Sequence, residues 1–167
     1  MTRWPAALML AILWAVATHA GEGTAEPTMS ITISPFHLLC PEIHLTGEWR
    51  LTPELSAVAV LGAGQVTDER ETFAIWEVGG QFRYYLLGSF THGMMLGIDA
   101  GYIEVDGGME NPMAYLVGSH AGAVVGYKIA MQAGYTMEVQ IGPVYVWADA
   151  DNTEWQTLLN LKIGWTF

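Results

Sequence analysis

The sequence predicts an all-β chain, an eight-stranded antiparallel up-and-down barrel whose strands cross a membrane. Three observations predict it. Apolar and polar residues alternate with period 2 through most of the chain, which sends them to opposite faces of strands. Hydrophobic residues make up 51% of the sequence, yet beyond the N-terminal stretch no apolar run approaches the roughly 20 residues that a helical span needs. Aromatic residues gather at the ends of the alternating stretches, the level at which amphipathic rings meet lipid headgroups.

Residues 1–20 read as a secretory leader. Arg3 supplies a positive start, Trp4 to Ala17 an apolar segment too short for a span, and small residues allow cleavage after Ala17 or Ala20. Residues 21–28 read as a flexible tail and 29–167 as the barrel. The first strand is placed at Ser30 to Leu39, where Ile31 and Ile33 alternate before Pro35 interrupts. Ile43 to Leu51 follows, with Ile43, Leu45, Gly47, Trp49 and Leu51 on one face. Thr52-Pro53-Glu54 makes a tight turn, since Pro suits turns and opposes central strands. Leu55 to Val66 is a strand rich in Ala and Gly whose faces the pattern does not assign.

Thr72 to Leu87 puts Ala74, Trp76, Val78, Phe82, Tyr84 and Leu86 opposite Glu77, Gln81, Arg83 and Tyr85. After a turn at 88–93, Met94 to Tyr102 sets Leu96 and Ile98 against Met95 and Asp99. Met113 to Ile129 sets Tyr115, Val125 and Tyr127 against His120 and Lys128. Beyond a turn at 131–133, Tyr135 to Trp147 opposes Met137, Val139 and Ile141 to Thr136, Glu138 and Gln140. Trp155 to Phe167 closes the chain with the clearest alternation: Trp155, Leu159, Leu161, Ile163, Trp165 and Phe167 against Gln156, Asn160, Lys162 and Thr166. Barrels of this kind have an even number of strands, so the short first stretch completes eight. Short turns then lie at one end, and loops at 67–71, 104–112 and 149–154 at the other.

Two aromatic girdles are expected on the outward face. Trp49, Tyr84, Tyr127, Tyr135, Trp165 and Phe167 belong to the turn end; Trp76, Tyr102, Tyr115, Tyr145, Trp147 and Trp155 belong to the loop end. The opposite faces carry Glu48, Arg50, Glu77, Arg83, Asp99, Lys128, Glu138 and Lys162. An eight-stranded barrel has an interior just wide enough for side chains, so these charges must pair there. Symmetrical turns would set Arg83 opposite Asp99, and Glu138 opposite both Lys128 and Lys162.

Seventeen acids against six Lys and Arg give a net charge of −11, and cleavage of the leader would remove only Arg3. That balance opposes nucleic-acid binding, which needs a basic surface. Nine of the acids fall in the three long loops: Asp68, Glu69, Glu71, Glu104, Asp106, Glu110, Asp149, Asp151 and Glu154. Asp149, Asp151 and Glu154 offer oxygen ligands for a cation, but without the length and later Gly and Glu of an EF-hand loop. No hydrolase elbow, zinc motif or phosphate loop occurs, so neither a catalytic residue nor a cofactor site is assigned. Ser119 and His120 are neighbours in a strand and point to opposite faces. His44 and His120 read as neutral lumen residues. The single Cys40 excludes an intrachain disulfide.

The leader, the alternating strands, the acidic loops and the terminal Gly164-Trp165-Thr166-Phe167 resemble small bacterial outer-membrane barrels of the OmpA-domain and OmpX type. Ile33-Ser34-Pro35-Phe36-His37-Leu38-Leu39 and then Leu45-Thr46-Gly47-Glu48-Trp49-Arg50 look like one such family, catalogued as a domain of unknown function. Cys40-Pro41 departs from its pattern. The resemblance implies a monomer in the outer membrane of a Gram-negative bacterium, surrounded by lipid and delivered by the barrel-assembly machinery through its last strand. It implies no cofactor and no enzyme activity. The expected role is structural or interactive, through the acidic loops. The competing reading is a secreted or periplasmic small barrel carrying an apolar ligand, which requires apolar faces to point inward. A lipid-modifying barrel enzyme would need an acid–base constellation at the rim that the sequence lacks.

Overall fold

The computed structural model describes residues 26–35, 42–68, 71–106, 115–148 and 152–167. Eight strands run in chain order: β1 (Met29–Ile33), β2 (Glu42–Arg50), β3 (Leu55–Asp68), β4 (Glu71–Ser89), β5 (His92–Asp106), β6 (Tyr115–Ala130), β7 (Tyr135–Ala148) and β8 (Asn152–Thr166). Each pairs antiparallel with its neighbour in sequence, and β1 also pairs with β8 to close the barrel. The fold is therefore an eight-stranded up-and-down barrel, which satisfies backbone groups between strands and removes edges wherever the ladder is complete. The terminus takes part in closure: the Phe167 N–H donates to Met29 O at 2.9 Å, and its carbonyl accepts from Thr28 and Met29. Residues 1–20 and the first part of the 21–28 tail lie outside the described residues.

Several boundaries differ from the expectation. β1 ends at Ile33 rather than Leu39; Pro35 has no N–H to continue a ladder, and 36–41 lie outside the described residues. The loops are shorter than polarity suggested, because β3 runs to Asp68, β5 to Asp106, and β8 starts at Asn152. Backbone pairing needs no apolar side chain, so polar residues extend the ladder beyond the alternating stretches. The 88–93 turn contracts to Phe90 and Thr91, and a bulge between Tyr85 and Leu87 puts Leu86 and Leu87 both on the outside. That extra residue shifts the register by one and the short turn shifts it by another, so Arg83 lies opposite Gly97, and Asp99 pairs with Gln81. The expected Arg83–Asp99 pairing is corrected. Glu138 does lie between Lys128 and Lys162.

The turns follow their residues. Thr52 Oγ1 accepts from the backbone N–H groups of Glu54 and Leu55, at 3.3 and 3.0 Å, the local bond that makes Thr a turn former. The β6–β7 turn ends on Gly134 at φ +88°, where an added Cβ would overlap the Trp165 indole. A left-handed residue other than Gly costs about 1–2 kcal/mol before any clash. Gly134→Ala should therefore lower the free energy of unfolding measured in urea by at least that much; an unchanged value would contradict this account of the turn.

Faces separate by polarity in an inverted sense. Ser30, Thr32, Thr46, Glu48, Ser56, Gln81, Arg83, Lys128, Thr136, Glu138, Gln140 and Lys162 are all buried inside. Trp155 is 70% exposed, Ile98 64% and Leu159 60%. β3, left unassigned by its pattern, turns Ser56, Val58, Val60 and Gly62 inward.

Candidate functional site

The interior has two layers. The lower one, toward the turn end, is an ionic core with Glu48 of β2 at its hub. Its carboxylate accepts from Ser56 Oγ at 2.6 Å, from Tyr85 Oη at 2.7 Å and from Lys128 Nζ at 2.6 Å, and lies 3.2 Å from Arg83 Nη1. Arg83 of β4 reaches across the lumen to Glu138 of β7 at 2.9 Å, while its Nε and Nη2 both donate to Gln81 Oε1. Lys162 Nζ lies 3.6 Å from Glu138, and no described residue accepts a hydrogen bond from it. Three cations thus share two carboxylates. Phe90 folds from its turn back under the core, 1% exposed, with Lys128 Nζ 3.8 Å from its ring centroid and Tyr85 edge-on at 6.3 Å. With Met95 these rings seal the turn end.

The upper layer is built on Gln81, which bridges the two by donating to Asp99 Oδ1 at 2.6 Å. Asp99 Oδ2 meets His120 Nε2 at 2.8 Å, and Glu77 Oε2 meets His44 Nε2 at 3.4 Å. Gly101 gives His120 its place, since a Cβ there would collide with the imidazole. Around these pairs is a cavity of about 290 Å³ lined by His44, Glu77, Asp99, His120, Gln156 and Asn160, together with the apolar Val60, Ile103, Val144, Val146 and Leu158. That volume is at the lower edge of small-molecule sites, about 300–1,000 Å³.

Of the eight charges expected in the lumen, Glu48, Arg83, Lys128, Glu138 and Lys162 meet in one network; Glu77 and Asp99 belong to the layer above. Arg50 does not join them. It sits at the turn-end rim and pairs with Glu26 at 2.7 Å. The neighbour of Glu138 on β6, Lys128, turns away to Glu48. Trp49, Tyr84, Tyr127, Tyr135 and Trp165 point outward at the turn end, with Phe167 half-buried beside them. Trp76, Tyr102, Tyr145, Trp147 and Trp155 point outward at the loop end, where Tyr145 packs on Trp147 and Trp155. The Tyr115 side chain, Asp149 and Asp151 lie outside the described residues. Glu154 is exposed and bonds Gln156, and among the described residues no three His, Cys, Asp or Glu side chains converge on a metal position.

Sequence reasoning missed Gln81, Gln140, Tyr85 and Ser56 as members of the network. The first three lie on the polar side of their alternations and were available to a search for neutral partners of the charges. Phe90, in a turn, carried no signal.

These features define a small closed β-barrel with a charged, packed interior and an aromatic-banded apolar exterior. No protein-family model, curated protein or solved structure matches the chain.

Proposed function

We propose that the chain is a non-enzymatic integral outer-membrane protein, exported by the leader at 1–20, standing as a monomer in lipid and presenting acidic loops outward. One observation carries this reading: polar and ionised side chains are buried while Trp76, Phe82, Ile98, Trp155 and Leu159 are more than half exposed. A soluble barrel would have to leave that apolar surface in water, and exposed patches of this kind mark a membrane or partner surface. The two outward aromatic bands support a lipid environment, since amphipathic rings favour both interfaces. The ionic core and the Phe90 plug support a structural lumen rather than an open pore. The carrier reading needs an apolar interior, whereas these strands turn Glu48, Arg83 and Glu138 inward.

The expected result is recovery from outer membranes only with detergent, and a folded band that migrates differently before and after heating. Brominated lipids should quench the tryptophan fluorescence strongly. Recovery as detergent-free soluble protein would overturn the proposal.

A further inference from the structure

The closing seam of the barrel carries a trough on its outer face. Two rows of side chains point outward across β1, β8 and β7: Ile31, Trp165 and Tyr135 nearer the turn end, then Ile33, Ile163 and Met137. The row between them, Thr32, Gly164 and Thr136, belongs to the lumen side, so the floor of the trough is backbone. The trough measures about 620 Å³, and Met131 of the β6–β7 turn adds to its lower wall. In that wall the Tyr135 and Trp165 rings pack 4.3 Å apart, which makes it continuous across two strands.

This shape selects the occupant. Two residues of strand rise put the rows roughly 6.6 Å apart. An α-helix with its side chains is about 10–12 Å across, so a partner helix would ride over the trough rather than enter it. A partner strand needs a free edge, whereas the floor residues are paired on both sides. A single hydrocarbon chain is narrow enough and asks for no hydrogen bond. Among the described residues none that lines the trough is charged, and Thr136 spends its hydroxyl on Thr166 and Gly134. The lower wall belongs to the turn-end aromatic band, so a chain seated there hangs from a headgroup at that level. Leaving other lipid chains gains no hydrophobic free energy, and packing against fixed walls is what would hold it.

The place matters because β1 is the shortest of the eight strands. It has five residues, joined to β8 by four pairs and to β2 by five, while β7 and β8 share fourteen. A chain lying in the trough touches β1, β8 and β7 together. It would tie the weakest ladder of the wall to one of the longest.

We infer that this trough holds one acyl chain of a glycerophospholipid from the leaflet at the turn end, and that the chain braces the closing seam. This rests on the membrane reading above. The probe is dipalmitoyl phosphatidylethanolamine, added to the full barrel in dodecyl maltoside micelles and read by native mass spectrometry. One lipid per barrel should survive removal of the detergent. Ile163→Trp, which raises a ring from the middle of the inner row, should cut retention about tenfold, equivalent to about 1.4 kcal/mol of packing. Met137→Trp replaces it if that variant does not fold. Ile98→Trp, on β5 and 64% exposed, should keep the lipid. Dipalmitoyl phosphatidylglycerol should bind equally, because no described lining group is cationic. Amide exchange on β1 should slow about tenfold when the lipid is added, with no change on β5.

A heat-modifiable gel shift reports whether each variant's barrel has formed. A formed barrel that keeps no lipid, or keeps it equally in Ile163→Trp and Ile98→Trp, overturns the inference and leaves the membrane reading standing. So does a preference of about tenfold for either headgroup, or β1 exchange that ignores the lipid. A dimer that Ile163→Trp abolishes overturns it too, since a second copy then fills the trough. Recovery without detergent overturns the membrane reading itself, and is observed before any lipid is added.

Discussion

Glu48→Ala is expected to be the most destabilising single substitution in the barrel. The change removes the acceptor of Ser56, Tyr85 and Lys128 at once, all within 2.7 Å, and one of the two carboxylates beside Arg83. Arg83 keeps Glu138 and Gln81, but among the described residues Lys128 keeps only the face of Phe90. Leaving a buried charge without its partner costs about 3–5 kcal/mol, and each stranded hydroxyl adds a desolvation penalty of about 1–3 kcal/mol. Glu48→Gln, which still accepts from Ser56 and Tyr85, should fall between. Val139→Ala on the half-exposed outer face is the control, and outward changes of that kind stay near 0.5 kcal/mol. Urea unfolding of the refolded barrel in detergent measures all three. A near-neutral Glu48→Ala beside a severe Val139→Ala would mean that inside and outside had been exchanged.

The reach of the sequence can be judged from particular strands. β8 was legible from Trp155 onward, because strict alternation with Trp155 and Trp165 separates the faces, while its first residues from Asn152 were read as loop. β3 was not, because Ala and Gly fit either face and only the partners across the sheet bring Val58 and Val60 inside. Pairings between sequence neighbours came through where turns were regular, as for Glu138 with Lys128 and Lys162. They failed where a two-residue turn and a bulge combined: Ser89 pairs with His92 and Leu86 adds one residue, so Arg83 lies opposite Gly97 rather than Asp99, and no side-chain pattern announces a backbone insertion. The core itself depends on contacts across the lumen, β2 to β6 and β4 to β7. Period-2 alternation says that Glu48, Lys128, Arg83 and Glu138 share the interior. It says nothing about which pairs meet there, because that depends on how far each strand is offset around the closed sheet.

Lys162 gives the sharpest test of how the core is wired. Sequence spacing places Glu138 between two lysines, so losing its carboxylate would strand both. The structure reduces that to one. Lys128 turns to Glu48, and Arg83 retains Glu48 at 3.2 Å, so Glu138→Ala leaves Lys162 as the cation without a neighbouring carboxylate. Its cost should be on the order of 3 kcal/mol, at the low end for a broken buried pair and below that of Glu48→Ala. Lys162 is itself poorly held, 3.6 Å from Glu138 with no described acceptor, so Lys162→Met exchanges a weakly paired buried charge for an apolar chain of similar length. Replacing buried ions with hydrophobic groups of like volume is often neutral or stabilising. Lys162→Met should therefore shift stability by less than about 1 kcal/mol. Glu138→Met with Lys162→Met should recover at least about 1 kcal/mol relative to the sum of the single changes, within the range of coupling found for residues in contact. Strict additivity would show instead that Arg83 alone answers to Glu138. In that case Lys162→Met would stay mild while Arg83→Met coupled strongly to Glu138→Met, placing the barrel's central bond between β4 and β7.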